Sequence, residues 1–367
     1  LTDDRASGHN FYMSRWIKAA VLREASLPMR WERLEMEGPR DDETLVRLVA
    51  SGICHTDIDI WQSGESGPVV LGHEGAGIIE CVGKAVRGLR RGDHVVLSYQ
   101  SCGRCRACRA GRPTECSRFW ELNFGFARLD GSNALEAGGV RGHFFGQSSF
   151  ATHALATARN IVKVSKKLPL PLLAPLGCGL QTGAGTILHS LAVKAGASVC
   201  ILGTGSVGLA AVMAARLAGA DPIIAVDIRP RRLRLARDLG ATHAIDGRRS
   251  DLAEKLAAVS GGIDFAVETT GNAAVENAVS AALAPGGRLA ILTGGSARKL
   301  PGGREVLSVI QGDSVPQQFI PQMIRWWQEG RFPFDRLVKF YNCRKINQAI
   351  ADSIRGVTIK PVLRIPG

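Results

Sequence analysis

Four cysteines lie within one short stretch, Cys102, Cys105, Cys108 and Cys116 in C-G-R-C-R-A-C-R-A-G-R-P-T-E-C, and they constrain the fold of this chain more than any other feature. Spacings of two, two and seven residues let a single loop wrap four thiolates around one tetrahedral ion, the coordination of a structural zinc. Disulfides and scattered core cysteines are the competing readings, and the loop's shortness and polarity favour metal. Four thiolates on Zn²⁺ leave two negative charges. Arg104, Arg106, Arg109 and Arg112 are interleaved with them and are candidates to offset that charge.

A chain of 367 residues has room for two domains, and 45% hydrophobic with 22% charged residues describes an ordinary globular protein. No apolar run approaches the roughly 18 residues needed to span a bilayer, and residues 1–12 (LTDDRASGHNFY) lack an apolar signal core. A cytoplasmic protein with no membrane partner is expected, and residues 1–12 are read as a disordered extension ahead of Met13. The formal charge of +13 raises the question of nucleic acid. The arginines are spread over many segments without an aromatic-interleaved stripe, so a solvated basic surface is expected and no nucleic-acid partner.

Residues 13 to about 176 read as β-rich, with short apolar runs at 44–49, 77–82 and 94–97 cut by glycine turns. From about 179 the rhythm becomes strand, helix, strand: strand 198–202, helix 207–218 stopped at Gly219, strand 223–227, helix 231–239 ending at Gly240, strand 265–268, helix 273–283, a turn at Pro285-Gly286-Gly287 and strand 289–292. Such alternation predicts an α/β doubly wound parallel sheet. A helix at 321–329, another near 346–353 and a strand near 362–365 have no place in that sheet and are expected to return to the first domain.

G-T-G-S-V-G, Gly203 through Thr204, Gly205, Ser206 and Val207 to Gly208, follows a buried strand and opens a helix. That context turns a weak pattern into a dinucleotide fingerprint. Gly203 serves the tight turn, Gly205 the approach of a pyrophosphate and Gly208 the packing of helix on strand, while the helix N-terminus offers N–H groups to phosphate. Asp227 ends the next strand 19 residues beyond Gly208, where a carboxylate accepts from ribose hydroxyls and repels a 2′-phosphate. NAD is therefore expected over NADP. Arg229, Arg231 and Arg232 follow, with Arg232 a candidate contact to the cofactor.

Cys54 in G-I-C-H-T-D, His73 in G-H-E-G-A-G and Cys178 in L-G-C-G-L-Q-T-G are individually weak signals, because buried cysteine is common in cores. Together they supply two thiolates and an imidazole, which balance Zn²⁺ and leave a fourth position open, a catalytic arrangement. Glu74 is a candidate outer carboxylate or transient fourth ligand. Cys81, Cys200 and Cys343 read as packing residues.

With the cysteine loop, GHE, GICHTD and GxGxxG in one chain, the sequence resembles the zinc-containing medium-chain alcohol dehydrogenases from Met13 to the C-terminus. The resemblance implies a β-rich GroES-like catalytic domain from both chain ends (13–178 and 318–367), a Rossmann domain at 179–317 and an active-site cleft between them. It implies two zinc ions per chain, with Cys54, His73 and Cys178 holding the catalytic one and Cys102, Cys105, Cys108 and Cys116 the structural one. It further implies that Thr56 is the hydroxyl taking the substrate's proton, that His55 and Lys360 lie near the cofactor phosphates, and that Thr182 lies near the nicotinamide. Within the family the chain is most similar to aryl-alcohol dehydrogenases, on the segments 125–135, 146–155, 178–186 and 332–341. One position departs from the family pattern: Asp59 stands where many relatives carry a relay histidine, and a carboxylate is the weaker base near neutrality.

The expected reaction is interconversion of a primary aryl or allylic alcohol and its aldehyde with NAD. Ser98, Phe119, Trp120 and Phe145 are the candidate pocket walls. A polyol or formaldehyde-adduct dehydrogenase on the same scaffold, and a non-catalytic dinucleotide-binding protein, are the alternatives. A homodimer or homotetramer is expected, with the apolar segment 289–310 as a candidate contact.

Overall fold

The computed structural model describes residues 14–64, 67–135 and 139–366, so the extension expected at 1–12 lies outside the described residues. The chain divides into two compact units, one running to Cys178 and resuming at Val338, the other spanning Gly179–Leu337. Among the described residues no helix is long and apolar enough to cross a membrane.

The first unit is β-rich. Its organising strand is Glu43–Gly52, buried along nearly its whole length because it is paired on both edges and covered on both faces. It runs antiparallel to Gly75–Val82, to His153–Thr157 and, near its C-terminal end, to Lys360–Arg364. That last pairing sets Val362 opposite Gly52 and Arg364 opposite Ala50. The chain's final strand is thereby delivered to the segment that carries Cys54. His94–Leu97 and Ile161–Val164 extend the sheet beyond Gly75–Val82, and a second sheet orders Arg30–Met36, Arg15–Leu22 and Val69–Val70.

The second unit holds a seven-stranded sheet in the order His243–Asp246, Ile223–Asp227, Val199–Leu202, Ile263–Glu268, Leu283–Ile291, Arg304–Ser308, Arg298–Leu300. All neighbours are parallel except the last pair. Val199–Leu202 is buried at every residue, as a central parallel strand covered on both faces must be. Cys200 belongs to this core, and burial alone pushes its thiol up, which fits a packing role.

Two elements differ from the sequence reading. The Pro285-Gly286-Gly287 turn interrupts no strand: Leu283–Ile291 is one element whose pairing jumps from Leu283 to Arg288, so the turn is an excursion within it. The helix expected from Pro321 starts at Pro316 and runs to Gln328 with Pro321 inside it. It falls in the second unit instead of returning to the first, because Phe319, Ile320, Met323 and Ile324 are buried and Phe319 meets His189 edge-on at 4.5 Å.

Candidate metal centre and dinucleotide cradle

Cys54 sits at the N-cap of the helix His55–Ser63, just past the strand Glu43–Gly52. Asp57, at the third helical position and fully buried, accepts from the Cys54 N–H at 2.9 Å with Oδ2. Its Oδ1 accepts from Gly72 N–H and meets His73 Nδ1, each at 3.0 Å. One carboxylate therefore fixes two of the expected ligands. A carboxylate facing Nδ1 makes that nitrogen the donor and leaves Nε2 to bind a cation. His73 Nε2 is buried with no oxygen or nitrogen partner among the described residues. One ligand atom each from Cys54, His73, Glu74 and Cys178 lies within 4.8 Å of the others, so the donor set fits zinc.

The electrostatics agree. Burial pulls the His73 imidazole down, but Asp57 and Cys54 outweigh it and raise it to about 10. Cys54 is held well below the usual thiol range by the hydrogen bond from Cys178, against its burial and with help from His73 and Lys360. Both shifts favour positive charge beside the Cys54 sulfur. Burial lifts Glu74 to about 7, with Lys360 opposing. Lys360 was expected near phosphate, and the structure corrects this: its buried ammonium donates to Glu74 at 2.7 Å and to the Ile53 carbonyl at 3.0 Å. The pairing of its strand with Gly52 puts it there.

Thr56 Oγ1 lies 3.9 Å from Cys54 Sγ. His55 Nε2 and Asp59 Oδ1 stand 3.3 Å apart one helical turn from each other, both largely in solvent. Burial raises the Asp59 carboxyl, with His55 opposing.

The expected pocket walls fare differently. Phe145 stacks on the His73 imidazole at 4.5 Å, with Phe144 edge-on at 5.2 Å. Phe119 is buried against Tyr99 at 5.6 Å and Trp120 is 63% exposed. Ser98 is fully buried, its hydroxyl donating to the Gly177 carbonyl at 2.6 Å, so it ties backbone and is not an open wall. Phe124, which sequence reasoning missed, lies 5.0 Å from Phe145 and 5.2 Å from Trp120. Asp57 was also missed, although the Cys54-x-x-Asp57 spacing carries the signal of a helix N-cap with an acidic third residue.

In the cysteine loop the four Sγ atoms lie within 4.8 Å of one another, and Cys102 and Cys108 sulfurs are 4.0 Å apart, so no disulfide joins them. Backbone N–H groups of Cys102, Cys105 and Cys108 point at the sulfurs of Cys116, Cys102 and Cys105. Those of Cys108 and Ser117 bring the Cys105 thiol down to about 5, whereas burial and Cys105 push Cys108 up to about 12. Arg112 is engaged by Glu115 at 2.9 Å, so charge compensation by all four interleaved arginines does not hold.

In the second unit, Gly203 has φ +87°, and a Cβ there would meet Thr269 Oγ1 at 2.4 Å. At Gly208 a Cβ would lie 1.8 Å from the Gly203 carbonyl oxygen, while at Gly205 it would meet nothing within 4 Å. The loop is closed where it packs and open where a pyrophosphate would approach, ahead of the helix Ser206–Ala218. Asp227 is buried and accepts from Thr204 N–H and Oγ1, each at 2.7 Å, and from Arg229 N–H at 2.9 Å. It braces the glycine loop and keeps lone-pair capacity for a ribose hydroxyl. Among the described residues Arg232 Nε has no hydrogen-bond partner; burial lowers its pKa, with Asp227 opposing. Thr182 lies on the helix Gly179–Gly185, whose Gly183 packs onto the Val207 carbonyl.

Residues 40–166 match the family described as alcohol dehydrogenase GroES-like domain, and residues 206–315 that described as zinc-binding dehydrogenase. A geraniol dehydrogenase of Castellaniella defragrans is 43% identical over 94% of this chain and 97% of its own length. The crystal structure of benzyl alcohol dehydrogenase from Acinetobacter calcoaceticus is similar with TM-score 0.92 and 44% identity, covering 96% of this chain and all of that one. An alcohol dehydrogenase zinc-binding domain protein from Burkholderia ambifaria is similar with TM-score 0.92, 48% identity and the same coverage.

Proposed function

The chain belongs to the zinc-containing medium-chain alcohol dehydrogenases, and from that premise we propose that it interconverts a primary aryl or allylic alcohol and its aldehyde with NAD. The observation that carries the reading is the cluster of half-buried Cys54 with buried His73 and Cys178, in which the His73 Nε2 has no oxygen or nitrogen partner among the described residues. These three residues would hold the catalytic zinc, and Cys102, Cys105, Cys108 and Cys116 a second ion. When bound, zinc acts as a Lewis acid on the alcohol oxygen and NAD accepts the hydride.

The chain's own residues prepare that chemistry. Asp57 holds the His73 ring and the Cys54 backbone in register. Thr56 would take the alcohol's proton, a role supported by its Oγ1 lying 3.9 Å from the Cys54 sulfur. Asp59 with His55 forms the outlet to solvent, filling the role of the histidine that many relatives carry. The Phe144, Phe145 and Phe124 rings around His73 favour a flat, unsaturated substrate. Asp227 supports NAD over NADP. A cytoplasmic homodimer or homotetramer is proposed, with the sheet edge Arg298–Leu300 and its neighbour as the contact.

Steady-state kinetics with benzyl alcohol, geraniol and a short aliphatic alcohol, each with NAD and NADP, test the proposal. The first two with NAD should give the highest kcat/KM; a preference for polyols or a glutathione adduct would overturn the substrate class. Metal analysis should find two zinc ions per chain, and light scattering an assembly larger than the monomer.

A further inference from the structure

Among the described residues Asp57 hydrogen-bonds the Cys54 and His73 segments and not the segment that carries Cys178. A second buried side chain supplies the missing tie. Gln147 is 3% exposed, and its amide makes three hydrogen bonds to backbone: Nε2 donates to the carbonyls of His73 at 2.9 Å and Ser98 at 3.1 Å, and Oε1 accepts from Gly75 N–H at 3.0 Å. Both amide protons face carbonyls and the oxygen faces an N–H, so no flipped orientation satisfies these groups. Ser98 in turn donates to the carbonyl of Gly177, the residue before Cys178. At Gly177 a Cβ would lie 2.1 Å from the Leu97 carbonyl oxygen, so the two backbones are in direct contact.

Gln147 is carried on a strap bent to place it. His143, Phe145 and Ser148 all have positive φ (63°, 52° and 50°), as does Gly146. Non-glycine residues in that region cost free energy and persist where their surroundings hold them. Here Ser148 Oγ donates to the Val70 carbonyl at 2.6 Å, Asn160 donates to the Gly146 carbonyl at 3.0 Å, and Phe145 lies on the His73 ring.

We propose that Gln147 is a positioning residue of the catalytic centre, joining the His73 segment directly, and the Cys178 segment through Ser98, as Asp57 joins Cys54 to His73. The inference rests on the reading of Cys54, His73 and Cys178 as a zinc site. It assigns no contact between Gln147 and substrate.

Zinc release into a chromogenic chelator tests it, because the four-cysteine loop provides an internal control that Gln147 does not touch. Gln147→Met keeps the side chain's shape and removes its hydrogen bonds. One zinc should leave about 10- to 100-fold faster, the other at the wild-type rate, as expected when a group orienting a metal ligand is lost. Hydrogen exchange at Gly75 N–H should rise, and the cobalt(II) d–d spectrum of the Cys54 site should shift while that of the four-thiolate site does not. A folded Gln147→Met protein releasing both ions at wild-type rates overturns the proposal, as does equal acceleration of both. Should that variant fail to fold, Ser98→Ala removes only the arm to Gly177; selective loss of one ion again supports the tie, and unchanged release overturns it. A wild-type chain holding no zinc at Cys54, His73 and Cys178 would instead defeat the reading of the site, and the inference would fall with it.

Discussion

The two candidate metal clusters use the same element, sulfur, in opposite ways. In the loop of Cys102 to Cys116 the ligands follow one another in sequence, and the sulfurs are held by N–H groups of the same loop. At the Cys54 centre the ligands come from three distant segments, and buried side chains of other residues hold them: Asp57, Gln147, Ser98 and the Lys360 to Glu74 pair. A local cluster needs its loop and its ion; a dispersed one needs the whole β-rich unit. The first therefore suits stability and the second chemistry.

Removing one thiolate from each cluster separates the two most clearly. Cys54→Ser should lower kcat/KM by on the order of 10³-fold or more, because Lewis-acid stabilisation of several kcal/mol is lost. Cys108→Ser should release one zinc and lower Tm by several degrees, while kcat per folded molecule stays within about two-fold, if its ion serves folding alone. Equal loss of turnover in both variants would erase the distinction. A smaller effect tests the dispersed support: Asp57→Asn should weaken zinc retention at the Cys54 centre about 10- to 100-fold and leave the loop's zinc in place.

Acid offers a third test, through His143 at the base of the strap. Burial first and then Arg128 bring its imidazole down to about 4, and its Nε2 accepts from Ala134 N–H at 3.2 Å, which requires the neutral ring. Its folded pKa lies below the unfolded value of about 6.5. The contribution is therefore fully present above pH 6.5 and is lost as pH falls from there to about 4, by roughly 3 kcal/mol. Chemical denaturation across that window should show the slope, and His143→Gln should flatten it. Exchange should rise first in residues 139–150 and not in the cysteine loop. The smallest effect belongs to the loop's surface: Arg112→Gln removes an exposed ion pair and should change stability by less than about 1 kcal/mol.

Much of the architecture was legible because its signals are local. The strand at 199–202, the glycine turn and the helix to Ala218 follow from burial, positive φ and capping that neighbouring residues dictate. Pro321 misled, because a proline suggests a helix start and here sits inside a helix whose buried face outweighs the lost hydrogen bond. At the candidate site, Cys54, His73 and Cys178, which the fold brings together, each lie in a short motif. Lys360 was assigned to phosphate because nothing near it in the chain reveals that its strand pairs with Gly52. Nothing near Ser98 in the chain reveals that it ties backbone, because its partner, Gly177, lies far along the sequence.

The two-part organisation, the four-thiolate loop and the glycine turn are encoded in residues close enough to constrain one another through the backbone, so they can be read along the chain. The groups that hold Cys54, His73 and Cys178 in place come together only on folding. Asp57, Gln147, Ser98 and Lys360 act through hydrogen bonds between segments remote in sequence, and strand pairing and burial bring those segments together where a buried polar group must find its partners within the protein.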